Sequence, residues 1–496
     1  MHTEVEAKFD VPPTFVVPSF ESLPDLTVES DVVEVSSTYF DTESDTLLRF
    51  LMALRHRDGQ ADNGWQLKIP QPEYRAELRW PPSEHEPALA TEVLLPDDLS
   101  TQLQPFLAGE SLQPRVRIDL ARTRYRLLDR HGELAAEVSD DEVRAFPMRA
   151  PVRAPRWREI EIELGPAGDQ ALMRQLGTLL LTAGAHTSTS RSKLARARVG
   201  IGNEGVGEPR ASAGAVLTDY LGLQVRAVVG GHFAVQADEP DSVHQLRLAY
   251  RRLQATVTTF ADCFDAGQAE TFVADLDWVI ATLGTVRERE MMLSRLGAAL
   301  DEQSQDEALA PVRDQIKSRV TEDLVAARAQ LLSELTGDRY RGLLAELIRW
   351  RDDPPFSRLA GRPAQTLVDS VHKLNRKLER RVRDALAEAT VDEATLHRVR
   401  RLSMRVRYAA EVTGTDMPAM VSSAALVQDA LGDVRDGLIA ADALRRLAIE
   451  VAETAHDAFT YGVLAARQRE LAGDAQAELR QKLRNSDGAG PRQPPH

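Results

Sequence analysis

Polar and apolar residues alternate strictly through the opening stretch EVEAKFD. Glu4, Glu6 and Lys8 fall on one side, and Val5, Ala7 and Phe9 on the other. Side chains two apart share one face of a strand, so a strand with one apolar and one charged face is expected here. WREIEIEL (157–164) repeats the pattern, setting Glu159, Glu161 and Glu163 against Ile160, Ile162 and Leu164. Further strands are expected in EVSSTYF, LLRFLMALRHR, GWQLKIP, RVRIDLARTRYRLLD and ELAAEVSDDEV, with turn signals such as RDGQADNG and RHGE between them. One helix is expected over 168–184. From about residue 215 to 483 the period becomes helical and the text rich in Ala, Leu, Arg and Glu. The Gly-rich GIGNEGVGEPRASAGA between the halves reads as a linker, and the terminal NSDGAGPRQPPH as disordered. The expected organisation is a strand-rich domain over 1–200, a linker over 201–214, a helical domain over 215–483 and a tail over 484–496.

The helical half repeats itself. VHQLRLAYRRLQ (243–254) is similar to LHRVRRLSMRVR (396–407), and LGTVRERE (283–290) to LGDVRDGL (431–438). The order is kept, with 39 residues from His244 to Leu283 and 34 from His397 to Leu431. Two related helical units packed about a pseudo-twofold axis are expected.

Charge sharpens the first half. Two strands offer up to five carboxylates in ladders, which repel one another and need a counter-ion. Oxygen-only donors suit a hard cation such as Mg2+ or Mn2+. The bases follow the same alternation: Arg55 and Arg57 in LRHR, Lys68 in QLKIP, Arg75 and Arg79 in YRAELRW, and Arg115, Arg117, Arg122, Arg124 and Arg126 in RVRIDLARTRYR. Guanidinium grips phosphate oxygens bidentately and ammonium acts as a compact charge. Acids and bases on one enclosed face would take a polyanion delivered with metal, whereas a half-exposed sheet would merely solvate them.

In their order, ExExK at 4–8, YFDT (39–42), LRHR (54–57), the lysine of WQLKIP, the arginines of RVRIDLARTRYR, EIEIEL and a final RSKLARA make residues 1–200 resemble the CYTH domain of the triphosphate tunnel metalloenzymes. The resemblance implies a closed antiparallel barrel of about eight strands around a tunnel, cleaving or cyclising triphosphates with Mg2+ or Mn2+. It implies metal ligation by Glu4, Glu6, Asp140, Glu159 and Glu161, with Glu163 entering on a register shift and Asp141 competing with Asp140. It implies a triphosphate cradle of Lys8, Arg55, Arg57, Lys68, Arg75, Arg117, Arg122 and Lys193, of which Lys8, Arg55, Arg57 and Lys68 would join Glu4 and Glu6 in catalysis.

In the helical half, His244, Arg247 and Arg251 form one stripe with Arg252 beside it. His397, Arg400 and Arg405 repeat it, with Arg407 to one side, and His372, Arg376 and Arg380 make a third stripe. From 371 to 407 there are 11 basic residues against 5 acidic ones, so a positive surface is expected in an acidic chain. A solvated helix face is the bland alternative. Residues 215–480 resemble the CHAD domain through H-x-x-R-x-x-x-R-R at 244–252 and the two LG-x-VR-[DE] segments. That implies two pseudo-symmetric four-helix bundles with a basic groove that binds inorganic polyphosphate. Met404 stands where a base would match Arg251.

The chain's 496 residues, 43% hydrophobic and 28% charged, describe a soluble multidomain protein. No run of apolar residues is long enough for a membrane span, and the acidic start argues against a signal peptide. Cys263 is the single cysteine, consistent with a cytoplasmic setting, where polyphosphate granules are a candidate location. The net charge of −15 argues against a specific nucleic-acid partner. The leading expectation is a metal-dependent triphosphatase. A non-catalytic polyphosphate-binding protein and a nucleotide cyclase are the alternatives.

Overall fold

The computed structural model describes residues 2–20, 23, 25–58, 63–72, 75–81, 93–148, 154–190, 192–197, 212–302, 310–387, 393–414, 417–451 and 455–488. The chain divides into two compact units, one of Met1–Val206 with Arg226–Glu239 and one of Gly207–Val225 with Pro240–His496.

The first unit is built on β1 (His2–Glu4), β2 (Glu6–Val11), β3 (Thr27–Asp41), β4 (Ala53–Asp58), β5 (Gly64–Pro70), β6 (Arg75–Trp80), β7 (Gln113–Leu128), β8 (Leu134–Pro147), β9 (Arg156–Leu164) and the two-residue β10 (His186–Thr187). Their order in the sheet is β1-β6-β5-β4-β3-β7-β8-β9-β2-β10, and every pairing is antiparallel. β1 and β2 are halves of one extended segment interrupted at Val5. The first half pairs with β6 and the second with β9, so this segment joins the two ends of the sheet. The sheet is therefore a closed antiparallel barrel.

The apolar members of the alternation face outward. Phe9, Val138, Ile160 and Ile162 pack with Leu176 and Leu180 of the helix Gln170–Thr182, which covers that side. The charged members consequently face the interior, along with an apolar cluster toward one end. There Tyr39, Val116, Ile118, Leu120, Val143 and Ala145 pack with Leu194 and Ala197 from the short helix Lys193–Ala197. Numbering helices along the chain, these are α3 and α4, preceded by α1 (Thr46–Arg49) and α2 (Asp97–Leu107). The expected strand LLRFLMALRHR is instead α1 followed by β4, because three backbone N–H groups converge on Asp41. Those of Thr42, Leu47 and Leu48 donate to its carboxylate at 2.8, 2.8 and 3.0 Å and fold the connection into a turn of helix.

The remaining elements are α5 (Ala213–Gln236), α6 (Ser242–Thr259), α7 (Ala266–Glu302), α8 (Ala310–Glu334), α9 (Asp338–Asp352), α10 (Gln365–Ala387), α11 (Glu393–Thr413), α12 (Pro418–Val451) and α13 (Ala455–Gly488). The last part of α5 belongs to the first unit, where Phe233 stacks on Phe106 of α2 at 5.4 Å. The sequence duplication is carried by α6–α7 and α11–α12. The far ends of α7 and α12 pack with α8 and α13 around Leu300, Ile316, Leu444 and Leu464. Most of the expected linker, 201–211, lies outside the described residues, as does 489–496 of the expected tail; α13 continues through Gly488, so 484–488 are helical. No helix among the described residues is long and apolar enough to cross a membrane.

Candidate functional site

Register decides which charges meet inside the barrel. Glu161 of β9 lies opposite Lys8 of β2 and Ser139 of β8, and Glu159 lies opposite Asp141. Asp141 in turn lies opposite Arg122 of β7. The outcome is a carboxylate wall in which Asp141, Glu159 and Glu161 bring oxygens within 4.8 Å of one another. Lys193, presented by α4, stands 2.9 Å from Asp141, 2.8 Å from Glu159 and 2.6 Å from Glu161. Arg122 donates to both oxygens of Asp141 at 2.6 and 2.8 Å and reaches Glu161 at 3.3 Å. Lys8 bonds Glu161 and approaches Glu6 at 3.2 Å, while the Trp157 indole donates to Glu159 at 2.5 Å.

These contacts set the protonation states. Burial opposes the charge on Glu161, but Lys193, Lys8 and Arg122 outweigh it and hold the carboxyl well below the usual carboxylate range. Asp141 is lowered likewise, against burial, by Lys193 and Arg122. Burial disfavours the Lys193 ammonium as well, yet Asp141, Glu161 and Glu159 raise it above an ordinary lysine. The donor set is all carboxylate oxygen and gathered at one point. It therefore fits a hard divalent cation, with Asp141, Glu159 and Glu161 as the holding residues.

A basic wall faces it. In barrel order β5 lies across from β8, and β4 from β9. Arg55 and Arg57 of β4 and Lys68 of β5 share the inner face, because Tyr39 pairs with Arg55, Ser37 with Arg57, Arg55 with Gln66 and Lys68 with Glu77. Arg55 donates to Gln66 at 2.7 Å and to the Tyr39 hydroxyl and Glu77 at 3.3 Å. Glu77 also takes a 2.5 Å bond from Arg79 and faces Lys68 at 3.6 Å. Burial pushes against the Glu77 charge, but Arg55, Lys68 and Arg79 overcome it and bring the carboxyl down to about 2. Further along β7, Arg124 and Arg126 pair with Asp31 and Glu29 where the inner face becomes exposed.

Two sequence expectations are corrected here. Asp140 points to the outer face, where Arg158 holds it through two bonds of 2.8 and 2.7 Å; Asp141 is the inward acid. Arg117 is odd-numbered on a strand whose even positions face inward, and it is exposed and bonded to Asp119 at 2.9 Å. Lys8, Arg55, Arg57, Lys68, Arg122 and Lys193 do come together inside. Glu163 follows the same alternation, opposite Glu6, outside the three-carboxylate group. Glu4 and Arg75 pair in register between β1 and β6; their side chains lie outside the described residues. Sequence reasoning missed Glu77, although its place midway between Arg75 and Arg79 on one strand face was the signal.

The helical unit gathers a second set of charges. Arg247 and Arg251 of α6, Arg400 of α11 and Arg435 of α12 lie near enough to repel one another. Burial together with Arg251 and Arg435 brings the Arg247 guanidinium down to about 9, so it stays charged at neutral pH. Arg247 donates to the Ile280 carbonyl at 3.2 Å, and Arg435 reaches Glu288 at 2.5 Å. The duplicated glycines make room for this: a Cβ on Gly284 would meet Arg247 Nη2 at 2.8 Å, and one on Gly432 would meet Arg400 Nη2 at 3.8 Å. Arg251 points a nitrogen at the Met404 sulfur, 3.8 Å away, its own counterpart in the duplication. His244 is half-buried beside Arg287, Arg251 and Arg247, and burial with those charges lowers its pKa.

Other members of the expected basic stripe are engaged elsewhere. Arg252 bonds Glu411 at 2.8 Å, and its counterpart Arg405 donates to the Thr258 carbonyl at 3.0 Å at the end of α6. Both tie α6 to α11 instead of extending the cluster. His372, Arg376 and Arg380 are exposed along α10, His397 is exposed at the start of α11, and Arg407 is half-buried further along it.

Known proteins match this chain in both halves. A CYTH domain model matches residues 2–196 and a CHAD domain model residues 219–445. An uncharacterized protein of Mycobacterium tuberculosis is 31% identical over 518 residues, covering 98% of this chain and 97% of its own. Among solved structures, PptA from Streptomyces chartreusis is 22% identical, covers 55% of this chain and 100% of its own, and has a TM-score of 0.49. The CHAD domain from the plant Ricinus communis is 23% identical, covers 56% and 93%, and has a TM-score of 0.46.

Proposed function

The chain belongs to the family of proteins that join a CYTH domain to a CHAD domain, and from that premise we propose that its barrel hydrolyses inorganic triphosphate with Mg2+ or Mn2+ while its helical unit binds inorganic polyphosphate. The observation that carries the first half is the opposition of two walls: Asp141, Glu159 and Glu161 across the barrel from Arg55, Arg57 and Lys68. A triphosphate between them meets guanidinium and ammonium on one side and metal ligands on the other. Glu4 and Glu6 join the acids on the family resemblance, and Lys8, Arg75 and Arg122 join the cradle.

Held by Asp141, Glu159 and Glu161, a divalent ion would supply charge neutralisation for the phosphate oxygens and a more acidic water. The chain's own part is positioning and electrostatics. Arg55, Arg57 and Lys68 hold the phosphates and stabilise the charge that spreads over them during transfer. The apolar cluster around Ile118 and Leu194 closes off one end, excludes water there and strengthens every charge contact nearby. Inorganic triphosphate is preferred as the substrate because no base-binding pocket is evident in the sequence.

For the helical unit, the supporting observation is the group Arg247, Arg251, Arg400 and Arg435, whose mutual repulsion a polyanion would relieve. His244 adds a donor at its edge.

Phosphate release from inorganic triphosphate, ATP and long-chain polyphosphate, with Mg2+, Mn2+ or EDTA, tests the proposal. Metal-dependent release is expected, fastest from triphosphate and absent with EDTA. Polyphosphate retention without release from any of the three would leave a binding protein and refute the catalytic half.

A further inference from the structure

The three carboxylates that can hold a metal already hold a cation of the protein's own. Lys193 Nζ lies 2.9 Å from Asp141 Oδ2, 2.8 Å from Glu159 Oε1 and 2.6 Å from Glu161 Oε1. Those residues bring oxygens within 4.8 Å of one another, so the space they enclose is the space the ammonium fills. Lys8 and Arg122 approach from the sides, Lys8 reaching Glu161 and Glu6, and Arg122 reaching Asp141 and Glu161. A divalent ion draws carboxylate oxygens to roughly 2.0–2.6 Å, which requires the centre of the group. Two cations cannot share that centre in a buried site.

We infer that Lys193 is a tethered counter-ion that sits in the metal position of the metal-free protein and is exchanged out when metal binds, turning toward the phosphates of the substrate. The inference rests on the metal-dependent reading of the barrel. It also supplies the positive charge that three clustered, largely buried carboxylates need: uncompensated, they would destabilise the fold.

The exchange needs only one side chain to move. Leu194 and Ala197 keep α4 in the apolar cluster, and Arg196 ties the same helix to Asp10 and Glu159. Lys193 has four methylenes with which to swing while its backbone stays in place. A phosphate held by Arg55 and Lys68 offers the released ammonium new oxygens. Metal and triphosphate therefore favour the same position of Lys193, and by linkage each raises the affinity of the other.

Mn2+ binding to the full chain, followed by electron paramagnetic resonance of the free ion, tests this. Wild type should bind Mn2+ weakly without triphosphate. Lys193→Met should bind it at least about tenfold more tightly, and Lys193→Arg, which keeps the charge, should stay weak. Equal Mn2+ affinity in wild type and Lys193→Met overturns the exchange while leaving the metal-dependent reading intact. No Mn2+ binding by any of the three, with or without triphosphate, overturns both. Should Lys193→Met fail to fold, wild type alone decides. Acetylation of Lys193 by an amine-specific reagent, read by mass spectrometry, should rise severalfold on saturation with Mg2+. Unchanged labelling overturns the exchange.

Discussion

One peptide unit separates Asp140 from Asp141, and it turns their carboxylates to opposite sides of the barrel wall. Asp140 is a structural residue bonded twice to Arg158, whereas Asp141 stands among Lys193, Arg122 and the two glutamates. Asp141→Asn should lower kcat for triphosphate by about 100-fold, as expected for a lost electrostatic partner in a closed site. Asp140→Asn should leave kcat intact and cost about 2 kcal/mol of stability through the broken charge-assisted bonds. Equal activity losses in the two variants would contradict the assignment of faces. Sequence periodicity could not separate these residues, because both faces of β8 carry apolar residues. Val138 packs outward under α3 and Val143 inward in the plugged end. Only pairing with Glu159 resolves the ambiguity. Arg117 and Arg122 were separable from sequence alone: they are five apart, an odd number, so one strand cannot turn both to the same side. Glu77 adds a pH signature. Its folded pKa, about 2, lies below the roughly 4.3 of an unfolded glutamate. The stability it contributes is therefore complete above pH ~4.3 and is lost as pH falls toward 2. That contribution is on the order of 3 kcal/mol. Between pH 5 and 2.5 most of it is lost, so over that range Glu77→Gln should lose less stability than wild type by about 2 kcal/mol. Hydrogen exchange of β9 amides reads the difference, and parallel losses would contradict it.

Single elements carry function by what they leave room for. The alternating strands around EVEAKF and EIEIEL were legible because an acid or base at every second position, against an apolar opposite face, sets a strand period that no helix reproduces. The LLRFLMALRHR stretch was not legible, since its apolar run suits a strand or a buried helical turn equally. The bonds to Asp41 that choose the helix come from outside it. Among the helices, the duplicated motifs correctly signalled paired units, but a stripe seen on one helix does not show which arginines its neighbours claim. Arg252 and Arg405 look like Arg247 and Arg400 in sequence and are taken by Glu411 and the end of α6. The glycines of the two LG-x-VR segments distinguish the helices experimentally. Gly284→Ala in α7 must displace the Arg247 guanidinium, 2.8 Å from the new methyl, and should weaken polyphosphate binding about tenfold. Gly432→Ala in α12 meets Arg400 at an ordinary 3.8 Å and should leave binding unchanged while adding about 1 kcal/mol to stability. Isothermal titration with polyphosphate, paired with thermal melts, checks both; identical affinities would remove Arg247 from the binding surface.

At the scale of the whole molecule, two units of unlike chemistry are written into one acidic chain. The net charge of −15 conceals both, because the barrel balances its acids against bases at close range and the helical unit concentrates arginines on a few helices. The proposed division of labour predicts that the two functions fail independently. The most direct test measures triphosphate hydrolysis with Mg2+ and polyphosphate affinity side by side in wild type, Glu161→Gln, and the double variant Arg247→Ala with Arg400→Ala. Glu161→Gln should abolish hydrolysis and keep wild-type polyphosphate affinity, and the arginine variant should hydrolyse normally and bind polyphosphate poorly. Undiminished hydrolysis by Glu161→Gln would contradict the carboxylate wall as the seat of catalysis.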